Sequence, residues 1–492
     1  MDSLSRRQLL ALGAAAAMMP RLGTRVAAAG PGNPFTLGVC AGDPDEQSAV
    51  LWTRLTEPDG SGYGGADVVV TWELAEDESF SSVVGTGDVI AITDEAHSVH
   101  AVVDVPGPSF FRFHTGQWTS PTGRVAPTPT DPTQLRVATT SCQHYETGYY
   151  AAHADLATWG PDLVVFLGDF IYEYGAQNPG DDVVRSHGSA ETITLDEYRR
   201  RYALYLSDAQ LQAARRVCPW LVVWDDHEVE NNYAAVTSED AAPPAEFHAR
   251  RLAAYQAWWE HMPVRIPRPT GTDDTIIYRT VTWGSLADVV LLDDRQFRSD
   301  QTCGDVVLSV DPACPETLDP TRTMLGSVQE QWLGEQLAMT TATWPVIAQQ
   351  TVLTNVTLPN GAVLNYDQWD GYPAARQRLL LQAAQAPRAV VLTGDIHLAA
   401  VGRLPGVGIE FVTASISSIG LVPVDLAEAF AGFADVVDVE LAHRGYTRHT
   451  ITPETWTAEY RTVDDETTPD SPVSTWQTFV VEAAARDSVT AI

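Results

Sequence analysis

Residues 163–174 read LVVFLGDFIYEY, and this stretch decides the fold that the sequence predicts. Five apolar residues in succession, followed by Gly168-Asp169, are typical of a strand that is buried on both faces of a sheet. An apolar run that ends in acidic residues recurs as WLVVWDD at 220–226, VVLLDDR at 289–295 and AVVLTGDIH at 389–397. Since strands of this kind occur mainly in parallel sheets, the sequence predicts an α/β fold.

The chain divides into further parts on either side of this pattern. Helical patterns at 246–261 and 374–386 alternate with the apolar runs, which places an α/β domain at residues 134–492. Residues 35–118 carry short β-rich runs separated by Gly and Pro, as expected of a small antiparallel β-sandwich. Residues 119–133 (TSPTGRVAPTPTDPT) are rich in Pro and Thr and are predicted to form a linker.

Residues 1–29 are predicted to be a twin-arginine signal peptide. Arg6 and Arg7 precede an apolar run from Leu9 to Met19, and small residues up to Ala29 suit cleavage. A membrane anchor is the weaker interpretation, because the run is shorter than the ~20 residues that a membrane span needs. We therefore expect export by the twin-arginine machinery to an extracellular, periplasmic or cell-wall location, without a transmembrane segment.

The charge of the chain limits its partners. Its 492 residues include 64 acidic and 30 basic side chains, which give a formal net charge of −34. Such a surface repels phosphate backbones, so no nucleic-acid-binding surface is expected. All 30 basic residues are arginine, which excludes Schiff-base and P-loop lysine chemistry. Among the five cysteines, Cys303 and Cys314 flank a short Gly/Pro/Asp-rich loop and are candidates to pair outside the cell.

Reactive side chains follow several predicted strands at their C-terminal ends, where open α/β sheets bind ligands. They are Cys142, Asp169, Tyr172, Asp225, Asp226, His227, Asp395 and His397. Carboxylates that converge in a buried site repel one another, and metal ions remove this repulsion. The set therefore predicts a polynuclear metal site, and two metal ions about 3.5–4 Å apart suit the hydrolysis of phosphate esters.

Arg295 follows an apolar run in the same way, within Asp293-Asp294-Arg295. Its guanidinium is suited to a bidentate contact with phosphate, which would supply positive charge to a site in this acidic protein. The alternative is a structural ion pair with Asp293 and Asp294. The sequence leaves both roles open.

Taken together, the motifs resemble the PhoD-like alkaline phosphatase family. GDFIY at 168–172 is similar to the Gly-Asp-x-x-Tyr element of calcineurin-like and purple-acid-type metallophosphoesterases. The matching elements are SCQ at 141–143, GDFIYEY at 168–174, WDDHEV at 224–229 with NN at 231–232, DDRQFR at 293–298, WDGY at 369–372, GDIH at 394–397, GVCAGDP at 38–44 and VLWTR at 50–54. The resemblance covers nearly everything from residue 35 onward. It implies a metallophosphoesterase-type sandwich of β-sheets flanked by helices, preceded by a small immunoglobulin- or fibronectin-like β-domain.

The resemblance also implies a site that contains Fe³⁺ and Ca²⁺. By motif position, Cys142, Tyr172 and His397 would bind the iron. Asp169 would bridge the iron to a second metal. Thiolate, phenolate and imidazole ligands suit iron.

On the other side of the site, Asp226 and Asp395 replace an Asn and a His of related phosphoesterases. Hard oxygen donors of this kind favour calcium over zinc. Asp225 would either bind the calcium or orient Asp226. His227 would protonate the leaving oxygen or donate a hydrogen bond to the phosphate. The expected substrates are phosphate monoesters or diesters, including phospholipid-type diesters.

Two other functions remain open at this stage. The Cys, Tyr and His ligands permit an iron-dependent redox enzyme, although no facial triad of two His and one carboxylate is evident. A non-catalytic surface-binding protein, with the β-rich part recognising the ligand, agrees less well with the complete set of candidate ligands.

Overall fold

The structure, a computed structural model, describes residues 32–57, 60–177, 183–270, 275–306, 308–386, 389–485 and 487–492. The predicted signal peptide at 1–29 lies outside these residues. The described residues form 22 strands and seven α-helices. Within these ranges, none of the helices has both the length and the apolar character that crossing a bilayer requires.

The elements follow one another along the chain with strands in the majority. The strands are β1 (Val39–Gly42), β2 (Ser48–Arg54), β3 (Val68–Ala75), β4 (Val83–Ala91), β5 (Ser98–Asp104), β6 (Ser109–Thr115), β7 (Trp118–Thr119), β8 (Gly123–Val125), β9 (Leu135–Thr140), β10 (Leu163–Phe166), β11 (Pro219–Val222), β12 (Arg279–Trp283), β13 (Ala287–Leu291), β14 (Trp344–Ala348), β15 (Ala389–Thr393), β16 (Ala399–Leu404), β17 (Gly408–Val412), β18 (Val436–Glu440), β19 (Gly445–Ile451), β20 (Thr455–Val463), β21 (Val473–Glu482) and β22 (Val489–Ala491). The helices are α1 (Ala151–Trp159), α2 (Leu195–Leu206), α3 (Ala209–Arg215), α4 (Pro244–His261), α5 (Gly326–Met339), α6 (Pro373–Ala383) and α7 (Ala427–Ala431).

Two large sheets form the body of the protein. The first has the strand order β22-β21-β20-β19-β9-β10-β11-β1-β2-β5, and the second has the order β12-β13-β14-β15-β17-β16-β18. The strands β9, β10 and β11 run parallel, as do β13, β14, β15 and β17.

Both faces of the second sheet are buried. Val289 and Val390 pack in the core shared with the first sheet, whereas their neighbours Val290 and Val391 pack in the core that includes α5 and α6. Burial on both faces explains the continuous apolar runs in the sequence. The expected sandwich of sheets flanked by helices is therefore confirmed.

The β-rich N-terminal part is a smaller sandwich with a core of its own. One layer contains β3, β4, β6 and β7, with β8 paired to β6. The other layer is β1, β2 and β5, and it continues the first large sheet because β1 pairs in parallel with β11, with Ala41 opposite Pro219. The stretch 119–133, expected to be a linker, includes β8, and the amide of Arg124 donates to the carbonyl of Arg216 at 2.8 Å.

Candidate metal centre

The ends of parallel strands bring the candidate ligands together. Because β10 lies between β9 and β11, Cys142, Asp169 and Asp225-Asp226 follow neighbouring strand ends of the first sheet. Asp395 follows β15 of the second sheet. The two sheets meet at this edge, and the Sγ of Cys142 lies 3.7 Å from the backbone carbonyl oxygen of Asp395.

The backbone turns sharply at these positions. Four candidate ligands share a left-handed backbone conformation, with φ between 54° and 66°, namely Cys142, Asp169, Asp395 and His397. Positive φ is uncommon for residues other than glycine, and such strained positions concentrate at functional sites. Gly168 has φ of 103°, and a Cβ there would lie 2.4 Å from the Cβ of Asp225. Glycine therefore permits the close approach that places Asp169 beside Asp225.

Cys142, Tyr172 and His397 meet around Asp169. The hydroxyl of Tyr172 donates to Oδ2 of Asp169 at 2.9 Å and lies 3.0 Å from Nε2 of His397. Ligand atoms of Cys142, Asp169 and His397 lie within 4.8 Å of one another. The Nδ1 of His397 lies 2.6 Å from the carbonyl oxygen of Ile419, which can only accept, so Nδ1 carries the hydrogen. Nε2 is left with its lone pair, as in a metal-binding histidine.

The carboxylates of Asp225, Asp226 and Asp395 form the other half of the site, with one oxygen of each within 4.8 Å of the others. Among the described residues, Oδ1 of Asp169, Oδ2 of Asp225 and Oδ1 of Asp226 are buried and have no hydrogen-bond partner. Buried carboxylate oxygens normally have such partners. These three atoms are therefore suited to contact a cation.

Burial disfavours the ionised form of these groups. Loss of solvation raises the pKa of Asp169 and of Asp225 well above the ordinary value for aspartate, and it raises the pKa of Asp395 to about 8. Burial also raises the pKa of the Cys142 thiol and of the Tyr172 phenol. A metal ion replaces the protons that such groups would otherwise retain. The residues present therefore fit a metal centre.

Arg295 is fully buried among carboxylates of this site. Its guanidinium forms ion pairs with Asp225, with Asp367 at 2.8 Å, with Asp395 at 3.3 Å and with Asp226 at 3.4 Å. Arg295 does not have the position expected of a phosphate clamp, because its guanidinium does not line the cavity that opens over the site. The ion pairs also differ from the expected ones, because they do not involve the sequence neighbours Asp293 and Asp294. Four carboxylates that the fold brings together surround the buried guanidinium instead.

His227 forms a buried pair with Glu173, with Nδ1 2.7 Å from Oε2. Burial by itself lowers the pKa of His227, but the carboxylates of Glu173, Asp169 and Asp226 outweigh this effect and hold the pKa well above its usual value. The imidazole lines the cavity, and its ring centroid lies 4.1 Å from that of Tyr172. His227 therefore lies beside the site, paired with Glu173, in the position that a general acid requires.

Asp367 belongs to the site although the sequence reasoning did not single it out. Its carboxylate contacts Arg295 at 2.8 Å and Arg298 at 3.0 Å. Burial raises the pKa of Asp367, but the two guanidinium groups outweigh burial and lower the pKa to about 2. Its position two residues before the WDGY motif was the available signal.

Glu228 was also missed, although it directly follows His227 in the WDDHEV motif. Its carboxylate accepts the backbone N–H groups of Asp169, Phe170 and Asp225 at 2.6–3.0 Å. It thereby ties together the two loops that carry the metal-ligand candidates. No sequence pattern indicated Ser418, whose hydroxyl donates to the Tyr172 hydroxyl at 2.8 Å.

A cavity of about 450 Å³ opens over the site, within the usual size range for small-molecule sites. Six of the predicted site residues line it, namely Asp169, Tyr172, Asp226, His227, Asp395 and His397. Three further acidic side chains, Glu239, Asp305 and Asp367, line its wall, whereas no arginine does so among the described residues. Cys142, Asp225 and Arg295 do not line the cavity.

The fold and the sequence of the chain are similar to those of known proteins. A family model described as "PhoD-like phosphatase" matches residues 137–460, and one described as "PhoD-like phosphatase, N-terminal domain" matches residues 21–129. Alkaline phosphatase D from Bacillus subtilis (strain 168) is 42% identical over 478 residues, which cover 91% of this chain and 81% of that protein. A solved structure described as "Structure of PhoD" has a TM-score of 0.88 and 40% identity, and the match covers 93% of this chain and 92% of that chain. The chain therefore belongs to the PhoD-like phosphatase family and is a metal-dependent phosphoester hydrolase.

Proposed function

We propose that this phosphatase uses Fe³⁺ and Ca²⁺ and hydrolyses phosphate esters outside the cytoplasm. The observation that carries the proposal is the division of the buried donors into two kinds. On one side, a thiol, a phenol and an imidazole meet at Cys142, Tyr172 and His397. This donor set suits ferric iron.

On the other side, Asp225, Asp226 and Asp395 offer carboxylate oxygens, the ligands that calcium prefers. Asp169 lies between the two sets, since it has a carboxylate oxygen within 4.8 Å of ligand atoms of Cys142 and His397 and also within 4.8 Å of Asp226. It would therefore contact both metals. When bound, the two ions supply the positive charge that neutralises the phosphoryl group and activates a water molecule.

The residues of the chain supply the other functions of the site. His227 would donate a proton to the leaving alkoxide, and Glu173 holds the imidazole in its orientation through the 2.7 Å contact at Nδ1. Arg295 positions the carboxylates of the calcium side through its ion pairs with Asp225, Asp226 and Asp395. Family membership favours hydrolysis over the redox and surface-binding alternatives.

We infer that diesters are preferred to monoesters, although both would be hydrolysed. Glu239 and Asp305 line the cavity without an accompanying arginine among the described residues. At alkaline pH these carboxylates repel a dianionic monoester more strongly than a monoanionic diester. Phospholipid-type diesters and small diesters both carry one negative charge on the phosphate, which this acidic wall repels less than the two charges of a monoester.

Export by the twin-arginine machinery is part of the proposal, with residues 1–29 as the signal peptide. The disulfide between Cys303 and Cys314 supports an oxidising destination, such as the periplasm, the cell wall or the medium. A protein that folds around its metal ions before export is also suited to a machinery that carries folded proteins.

The first experiment is hydrolysis of 4-nitrophenyl phosphate and bis(4-nitrophenyl) phosphate by the mature, exported protein. Activity is measured as isolated, after chelation and after add-back of calcium, and the metal content is determined by elemental analysis. We expect bound iron, turnover that is lost on chelation and restored by calcium, and a higher kcat/KM for the diester. Turnover that survives complete removal of metal would refute the proposal.

A further inference from the structure

A narrow apolar groove lies beside the catalytic cavity, between the edge of the second sheet and the segment that carries α7. The side chains that line it include Leu308, Val352, Leu398, Ala400, Leu421 and Phe430. Val352 and Leu398 belong to a small apolar cluster that is separate from the three larger cores. None of these residues contributes to the candidate metal centre.

The groove adjoins the catalytic cavity. Asn365, Gln368 and Leu421 line both. Ile396 lines the groove, whereas its sequence neighbours Asp395 and His397 line the cavity. The loop that carries two metal-ligand candidates therefore lines both spaces.

We propose that this groove is a subsite for an unbranched alkyl substituent of a phosphodiester substrate. The inference rests on the proposed phosphodiesterase function and adds a substrate class to it. Most of the lining is apolar, so an alkyl chain gains by leaving water there, whereas a sugar or polyol would lose hydrogen bonds. The substrate is the occupant that fits, because the groove shares three lining residues with the reaction cavity.

A series of 4-nitrophenyl alkyl phosphates from methyl to octyl tests the proposal, because the leaving group stays the same. The holoenzyme is assayed below and above the critical micelle concentration of each ester, and the values below it test the groove. We expect kcat/KM to rise with chain length by up to about fourfold per methylene until the groove is full, as full burial of a CH₂ predicts.

Two variants locate the effect in the groove. Ala400→Leu fills part of it, and Phe430→Asn places an amide in it. We expect the octyl-to-methyl ratio of kcat/KM to fall at least tenfold in each. Phe433→Asn is the matched control, because Phe433 contacts the ring of Phe430 but does not line the groove. We expect it to keep the parental ratio, and circular dichroism verifies that each variant is folded.

Three results would overturn the proposal while leaving the phosphodiesterase function standing. They are equal kcat/KM for methyl and octyl esters, a parental ratio in a folded Phe430→Asn variant, and a rise that occurs only above the critical micelle concentration. The last result would instead indicate action at an aggregate surface. Failure to hydrolyse any ester of the series, methyl included, would overturn the proposed phosphodiesterase function itself.

Discussion

Replacing Arg295 with methionine removes the guanidinium that contacts four carboxylates while keeping a side chain of similar length. Removal of one partner from a buried ion pair costs about 3–5 kcal/mol, because a buried charge remains uncompensated. The loss of four ion pairs does not cost four times as much as the loss of one. Asp367 keeps its contact with Arg298 at 3.0 Å, and Asp395, with a pKa of about 8, already holds a proton at neutral pH in the metal-free protein. We therefore expect the free energy of unfolding of the metal-free protein to fall by about 3–5 kcal/mol.

Differential scanning calorimetry of the chelated protein measures this loss. A chain of 492 residues has an unfolding entropy of about 1 kcal/mol/K, so the melting temperature should fall by about 3–5 °C. Arg112→Met is the control, because Arg112 makes a partly exposed ion pair with Glu73 at 2.8 Å and should lose at most about 1 °C. Equal melting temperatures for the two variants would refute the role of Arg295 in holding the carboxylates together.

Three further predictions concern the proposed metal ligands and His227, the proposed general acid. Cys142→Ala and Asp169→Asn should each lose bound metal by elemental analysis, and metal content equal to the parent would contradict the ligand assignment. If Tyr172 binds ferric iron, the iron-loaded protein should show a visible phenolate absorption band that Tyr172→Phe abolishes; an unchanged band would show that Tyr172 is not a ligand. Glu173→Gln removes a carboxylate that raises the pKa of His227. Since the acid must be protonated, the alkaline limb of the kcat/KM profile should then move to lower pH, and an unmoved limb would argue against His227.

The elements nearest the site could be predicted from sequence because their apolar runs are continuous. The predicted strands that begin at residues 163 and 389 correspond to β10 and β15, and the predicted helix at 246–261 corresponds to Pro244–His261 of α4. Parallel strands end at one edge of a sheet, so the convergence of the polar residues that follow them could also be expected. The pairing of β1 with β11 joins residues far apart in sequence, and no local pattern indicates it.

The partner chosen by each polar group depends on tertiary contacts that a local pattern does not contain. His144, His153 and His187 are indistinguishable in the sequence. In the structure, the ring of His144 lies 4.4 Å from that of Tyr172 in the cavity wall. His153 instead contacts the side chain of Gln143, and His187 contacts the hydroxyl of Tyr205.

The same tertiary contacts set the charge balance of the site, which bears on the proposed metals. The mutually contacting groups comprise five carboxylates, one thiol, one phenol and two guanidinium groups, namely Asp169, Asp225, Asp226, Asp367, Asp395, Cys142, Tyr172, Arg295 and Arg298. Fully ionised, they carry a net charge of −5, which one ferric and one calcium ion cancel. Two divalent ions would leave one negative charge in a buried site, where it is costly. The charge of these groups therefore agrees with the proposed pairing of one trivalent and one divalent ion.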